Sequence, residues 1–176
     1  MLSKMEKGLN DGNTVYELRE SLKAIPRELS GLFGVLLDSI DAEYAEETNT
    51  MLSLILCSVQ PLTLPEFRYA MAFCGKKTYL TQSQMLSSEN VIQNDVTMIK
   101  RIRSRCGGLL ETKASVDASN SGKGPSNMVV QFIHQSVKDY LSIRQESSSK
   151  ILGSKELTAQ GHKNFTQACL HYLSIN

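Results

Sequence analysis

The run Val129-Val130-Gln131-Phe132-Ile133-His134-Gln135-Ser136-Val137-Lys138-Asp139-Tyr140-Leu141 brings a histidine, a serine, a lysine and a carboxylate into close succession. Its first part is apolar and β-branched, which reads as a strand over Met128 to Ile133. Ser136, followed three residues later by Asp139, reads as a capping box that opens a helix to about Ile143. His134 therefore sits at a strand-to-helix junction, well placed to meet an anionic ligand. An imidazole there can donate an N–H to an oxyanion, and when protonated it adds a positive charge. A Ser-His-Asp triad fits by composition only. His134 and Ser136 alternate along an extended chain, and no oxyanion donors accompany them, so no catalytic residue is assigned. His162, Cys169 and His171 are metal-ligand types, but their spacing matches no zinc pattern and no metal site is assigned.

The elements around this run are mostly helical. Val15, Leu18 and Leu22 predict a helix over Thr14 to Ala24, ended by the restriction on the residue before Pro26. Leu29, Leu32, Phe33, Leu36, Leu37 and Ile40 form the apolar stripe of a second helix over Arg27 to Ile40. Asp41, Glu43, Glu46 and Glu47 suit the positive end of a third, strongly apolar helix that reaches Val59. Gln60-Pro61-Leu62 reads as a turn, and Thr63 with Glu66 as a capping box that starts a helix through Ala72. Residues 74–88 lack periodicity and read as a loop. A further helix is expected from Val91 to Cys106, with Ile92, Val96, Ile99 and Cys106 on one face and Gly107-Gly108 as its stop. Leu109 to Thr112 is a short strand. Ala114 to Asn127, rich in Ser, Gly, Asn and Lys, is a flexible loop. Ser147-Ser148-Ser149 marks a linker, and Glu156 to Ile175 is a last helix with Leu157, Phe165, Cys169, Leu170, Tyr172 and Leu173 apolar. The expected fold is mainly α (α+β). It is a three-helix core closed by a β-hairpin, the order of a winged helix, flanked by helices of neighbouring helical domains.

Composition narrows the function classes. The 176 residues are 41% apolar and 21% charged, which is ordinary for a soluble globular domain. A net charge of +1 supplies no bulk field toward nucleic acid or an anionic membrane. No apolar run approaches the roughly 18–20 residues of a membrane span, and Met1 to Asn10 has no apolar stretch of the signal-peptide kind. Cys57, Cys74, Cys106 and Cys169 are widely spaced, which reads as reduced core thiols of an intracellular, cytoplasmic protein.

Five blocks of the sequence resemble NACHT-type STAND NTPases, the NLR-like switches abundant in filamentous fungi, often with ankyrin or WD40 repeats. Leu22-Lys23-Ala24-Ile25-Pro26-Arg27-Glu28-Leu29-Ser30-Gly31-Leu32-Phe33 is similar to their L-x-x-I-P-x-x-L-x-x-L-[YF] segment. Gln60-Pro61-Leu62-Thr63-Leu64-Pro65-Glu66-Phe67 is similar to R-P-L-T-L-x-E-L, and Cys106-Gly107-Gly108-Leu109-Leu110 to C-G-G-L-L. Phe132 to Leu141 resembles F-I-H-x-S-V-x-D-[YF]-L, and Cys169-Leu170-His171-Tyr172-Leu173 resembles C-L-x-Y-L. The blocks stand in family order over nearly the whole chain.

The resemblance implies that residues 1–25 end a first helical domain and that residues 26–144 form the winged-helix domain. Residues 145–153 would be a linker, and residues 154–176 would begin a second helical domain. It also implies that His134 reaches the β-phosphate of ADP bound in a nucleotide-binding core outside this chain and holds the resting state closed. ADP or ATP with Mg would then belong to the full-length parent, and no cofactor to this chain alone. The implied partners are the parent's own core and second helical domain, with homo-oligomerisation on activation and a signalling role in nonself recognition or innate immunity. The phosphate-loop pattern Gly-x-x-x-x-Gly-Lys-[Ser/Thr] is absent: Gly75-Lys76 and Gly122-Lys123 are not followed by Ser or Thr. Val35-Leu36-Leu37-Asp38 mimics a Walker B end but lies on an amphipathic helix. This chain is therefore expected not to be an enzyme. The rival reading is a winged-helix nucleic-acid-binding module that uses Lys100, Arg101, Arg103 and Arg105, with Lys113 and Lys123 in the wing. Those four helix cations spread around the helix instead of forming one basic face, with Arg103 beside the apolar stripe.

Overall fold

A computed structural model describes residues 29–74, 91–92, 94–114, 127–145 and 150–175. The chain divides into two compact units, Met1–Val35 and Leu36–Asn176. Residues 29–38 are helical (α1). The helix expected over Thr14 to Ala24, the loop at residues 75–88 and the body of the loop over residues 115–126 lie outside the described residues.

The second unit is mainly α with one small antiparallel sheet, the class expected from the sequence. After a 3-10 turn at Ala42–Tyr44 come α2 (Ala45–Cys57), β1 (Leu62–Thr63), α3 (Leu64–Phe73), α4 (Asp95–Arg105), β2 (Leu110–Ala114), β3 (Met128–Phe132), α5 (Gln135–Ile143) and α6 (Ser154–Ile175). The strand order is β1-β3-β2. Leu62 pairs with Val130, and Leu110 with Phe132. The third strand is a departure from the hairpin that the sequence led us to expect. Two residues after Pro61 pair with β3 and at once become the cap of α3.

Local signals explain most of the boundaries. Thr63 caps α3 as expected: its hydroxyl accepts from the Glu66 N–H, and the Glu66 carboxylate accepts from the Thr63 N–H at 2.8 Å. α4 starts later than periodicity indicated, because Asn94 takes the cap position and accepts from the Thr97 N–H at 2.7 Å. Its buried residues are Met98 and Ile102, followed by Cys106, whereas Val96 and Arg103 are exposed. Of the expected Ile92-Val96-Ile99-Cys106 face, Cys106 is buried as expected, but Val96 is exposed and Ile99 only half-buried, so the buried stripe runs through Met98 and Ile102 instead. Gly107 and Gly108 end the helix with φ of +56° and +75°, the left-handed conformation that glycine takes without a side-chain penalty.

The core is built from Met51, Leu52, Leu54 and Ile55 of α2, Leu64, Phe67 and Phe73 of α3, and Met98 and Ile102 of α4. Leu110 and Val130 of the sheet and Val137 and Leu141 of α5 complete it. Burying each such side chain stabilises the fold by about 1.5–3 kcal/mol before chain entropy is counted. α2 carries a second, polar face. Thr50, Ser53 and Cys57 meet Thr158, Gln160, Gly161 and Asn164 of α6. Asn164 Nδ2 donates to Ser53 Oγ at 3.4 Å, Gln160 Nε2 donates to Thr50 Oγ1 at 3.4 Å, and the Cys57 thiol donates to the Thr158 carbonyl at 3.5 Å. Asn49 fixes the approach to α6: its Nδ2 donates to Lys150 O at 2.9 Å and its Oδ1 accepts from Leu152 N–H at 3.0 Å. The helix expected to open a second helical domain thus packs within the same compact unit as the sheet.

Candidate functional site

β3 delivers the chain to His134, and the helix starts on that residue. His134 has extended backbone angles, φ −157° and ψ 149°, and is the N-cap of α5. Its Nδ1 accepts from the Ser136 N–H at 3.1 Å and lies 2.8 Å from Ser136 Oγ. The expected Ser136/Asp139 box is corrected here. Ser136 turns its hydroxyl and its amide to the imidazole, and Asp139 accepts from Gln135 Nε2 at 2.9 Å. Histidine does the capping because its Nδ1 reaches the same orphan N–H that a serine or aspartate oxygen would take.

This geometry has a chemical consequence. Nδ1 accepts a backbone N–H, so the neutral ring carries its proton on Nε2. His134 is exposed, and its Nε2 has no partner among the described residues. The junction therefore presents a fixed tautomer whose free N–H is a donor for an anion, beside the positive end of a helix. Sequence reasoning placed His134 at this junction but gave the cap to the wrong residue.

The other sequence-noted residues scatter. Arg101 Nη1 lies 3.2 Å from Glu47 Oε1, Arg105 pairs with the same carboxylate, and the Arg105 guanidinium lies 4.4 Å over the Tyr44 ring. His171 stacks on Phe73 at 5.1 Å between ring centroids. Among the described residues no group of three or more His, Cys, Asp or Glu side chains comes together as metal ligands would. The cysteines are all free, but they are not all core thiols: Cys106 is buried, Cys57 and Cys74 are half-buried, and Cys169 is exposed. Burial pushes the Cys74 and Cys106 thiols up to about 12. Brief iodoacetamide labelling of the native chain at neutral pH is expected to modify Cys169 first and to leave Cys106 untouched until the chain unfolds. Labelling of Cys106 as fast as Cys169 would contradict this burial. Because the unfolded thiols ionise near 9.0 and the folded ones do not, stability should fall as pH rises from about 9 toward 12.

Residues 39–160 match a family profile described as "Domain of unknown function (DUF7791)". The chain belongs to this family. The DUF7791 match runs from the end of α1 into α6 and so includes the whole sheet and His134. A curated relative of the chain is "Azaphilone pigments biosynthesis cluster protein L" of Monascus ruber, 28% identical over 154 residues. The alignment covers 86% of this chain and 29% of that protein, so the chain spans less than a third of its relative's length. No solved structure matches the chain. Among the described residues of this DUF7791 chain, no helix is long and apolar enough to cross a membrane.

Proposed function

We propose that this chain is the regulatory winged-helix segment of a NACHT-type STAND NTPase, with α6 beginning the parent's second helical domain. On this reading it senses the nucleotide bound in the parent's core and holds the resting state in a cytoplasmic signalling switch. The observation that carries the reading is His134, exposed at the strand-to-helix junction with Nδ1 engaged and Nε2 free to donate. The element order supports it too: helix, short strand, two helices and two strands in one antiparallel sheet is the winged-helix order. A relative several times longer than this chain fits a segment of a larger protein.

A contact from Nε2 to the β-phosphate of ADP would be worth about 1.5–3 kcal/mol if charge-assisted. It works as a switch only if the activated state loses it, since a ligand shifts an equilibrium by its differential affinity alone. His134→Ala in the full-length parent is therefore expected to weaken ADP retention roughly tenfold to hundredfold and to raise basal activity. The check is the nucleotide released on denaturing the purified protein. Unchanged ADP occupancy would count against the reading. The rival nucleic-acid reading loses ground at α4, where Arg101 and Arg105 are engaged with Glu47.

A further inference from the structure

β1 is too short to cover its neighbour. Ile133 N–H donates to Leu109 O at 3.1 Å, on the β2 side of β3. Antiparallel ladders alternate, so Phe132 turns its N–H and C=O to the opposite side, toward β1. The register Leu62↔Val130 puts Gln60 opposite Phe132. Gln60 lies beyond the strand, which begins at Leu62. Among the described residues neither polar backbone group of Phe132 bonds to the backbone of Gln60 or of any other residue outside the strands, and β1 ends at Leu62, opposite Val130. A cavity of about 300 Å³ opens at this place, lined by Gln60, Pro61, Gln131, Phe132, Gln135 and Lys138 among others. Lys138 is half-buried, and its ammonium has no carboxylate partner among the described residues. Val59, at the rim, is 99% exposed.

We infer that this notch is a docking site for a short extended peptide segment carrying an acidic side chain. The peptide backbone pairs with the Phe132 N–H and C=O as an added strand residue, and the carboxylate meets the Lys138 ammonium. Main-chain bonds of this kind give affinity, and the side-chain contact gives specificity. An unpaired backbone donor and acceptor ask for another backbone, and the adjacent unpaired cation asks for a carboxylate. Val59 offers an apolar contact to the next residue of the peptide. The inference is independent of the nucleotide reading, because it uses neither His134 nor the parent's core.

The test uses the full chain, isotope-labelled, with acetyl-VEVEV-amide, its neutral counterpart acetyl-VQVQV-amide and inorganic phosphate as probes. The acidic peptide should shift the Phe132 amide resonance saturably and slow its hydrogen exchange. The neutral peptide should bind about tenfold more weakly, the usual worth of one charge-assisted contact. Lys138→Gln should erase that difference. Val59→Glu, at a site too exposed to disturb folding, should weaken both peptides by removing the apolar contact, and the acidic one more through like-charge repulsion. Equal affinity for the two peptides, or no shift at Phe132, would overturn the proposal. So would phosphate competing fully with the acidic peptide while leaving Phe132 unmoved, since that outcome describes a simple oxyanion site.

Discussion

Gly161→Val should unseat α6 from α2 and cost the chain about 3 kcal/mol or more. A Cβ at position 161 would stand 2.5 Å from the Ser53 carbonyl oxygen, 3.1 Å from Cys57 Cβ and closer still to Cys57 Sγ. Two of those neighbours are a helix carbonyl and a Cβ, neither of which can swing away. The helices would have to separate, and the hydrogen bonds from Asn164 to Ser53 and from Gln160 to Thr50 would go with them. Gly161→Ala recovers about 1 kcal/mol of helix propensity and should fall between wild type and Gly161→Val. The measurement is the urea midpoint of the two variants, with amide exchange along α6 to locate the damage. A Gly161→Ala chain more stable than wild type would mean that α6 does not approach α2 so closely.

Asn49→Leu is the second substitution with a large expected effect, of about 2–3 kcal/mol. The side chain is nearly the same size, so packing changes little. What is lost is a pair of bonds: the Lys150 carbonyl loses its donor and the Leu152 N–H loses its acceptor. Asn49 is only 6% exposed, so water cannot readily replace it. Lys150 also caps the end of α1 by donating Nζ to the Asp38 and Ile40 carbonyls at 3.2 and 3.1 Å. Asn49→Leu should therefore loosen residues 150–152 and the start of α6, visible as faster exchange there. A stability loss under about 0.5 kcal/mol, with exchange unchanged, would show that the Asn49 bonds contribute little.

The elements were legible in the sequence where a local rule had a single reading. Thr63 and Glu66 mark the start of α3, and Gly107-Gly108 the end of α4, because both signals rest on backbone geometry that few other residues satisfy. Val91 looked like the start of α4 because apolar periodicity extends beyond a helix, while Asn94, a sound cap, set the true boundary. β1 was hidden because two residues cannot display an alternation. The cap of α5 was assigned to Ser136 because the usual rule searches for a hydroxyl or carboxylate, and an imidazole does the same work here. The polar seam of α6 was missed for a related reason. Gly161 and Asn164 carry no local signal of a contact, which depends on the facing Ser53 and Cys57 from a distant part of the chain. Of the candidate site, His134 and its place at the junction were readable. The tautomer set by Ser136 was not, because it depends on a three-dimensional bond between neighbours.

The role proposed for His134 rests on Nε2, while its structural role as a cap rests on Nδ1, and the two can be separated. Asparagine is among the best N-caps and has no imidazole, so His134→Asn should keep α5 intact, whereas His134→Ala should cost about 0.5–2 kcal/mol of stability. The decisive measurement is the rate at which ADP leaves the purified full-length parent carrying each substitution. We expect both variants to release ADP at least tenfold faster than wild type, with His134→Asn folded as stably as the parent. Release at the wild-type rate from His134→Asn would contradict the account and leave His134 as a helix cap alone.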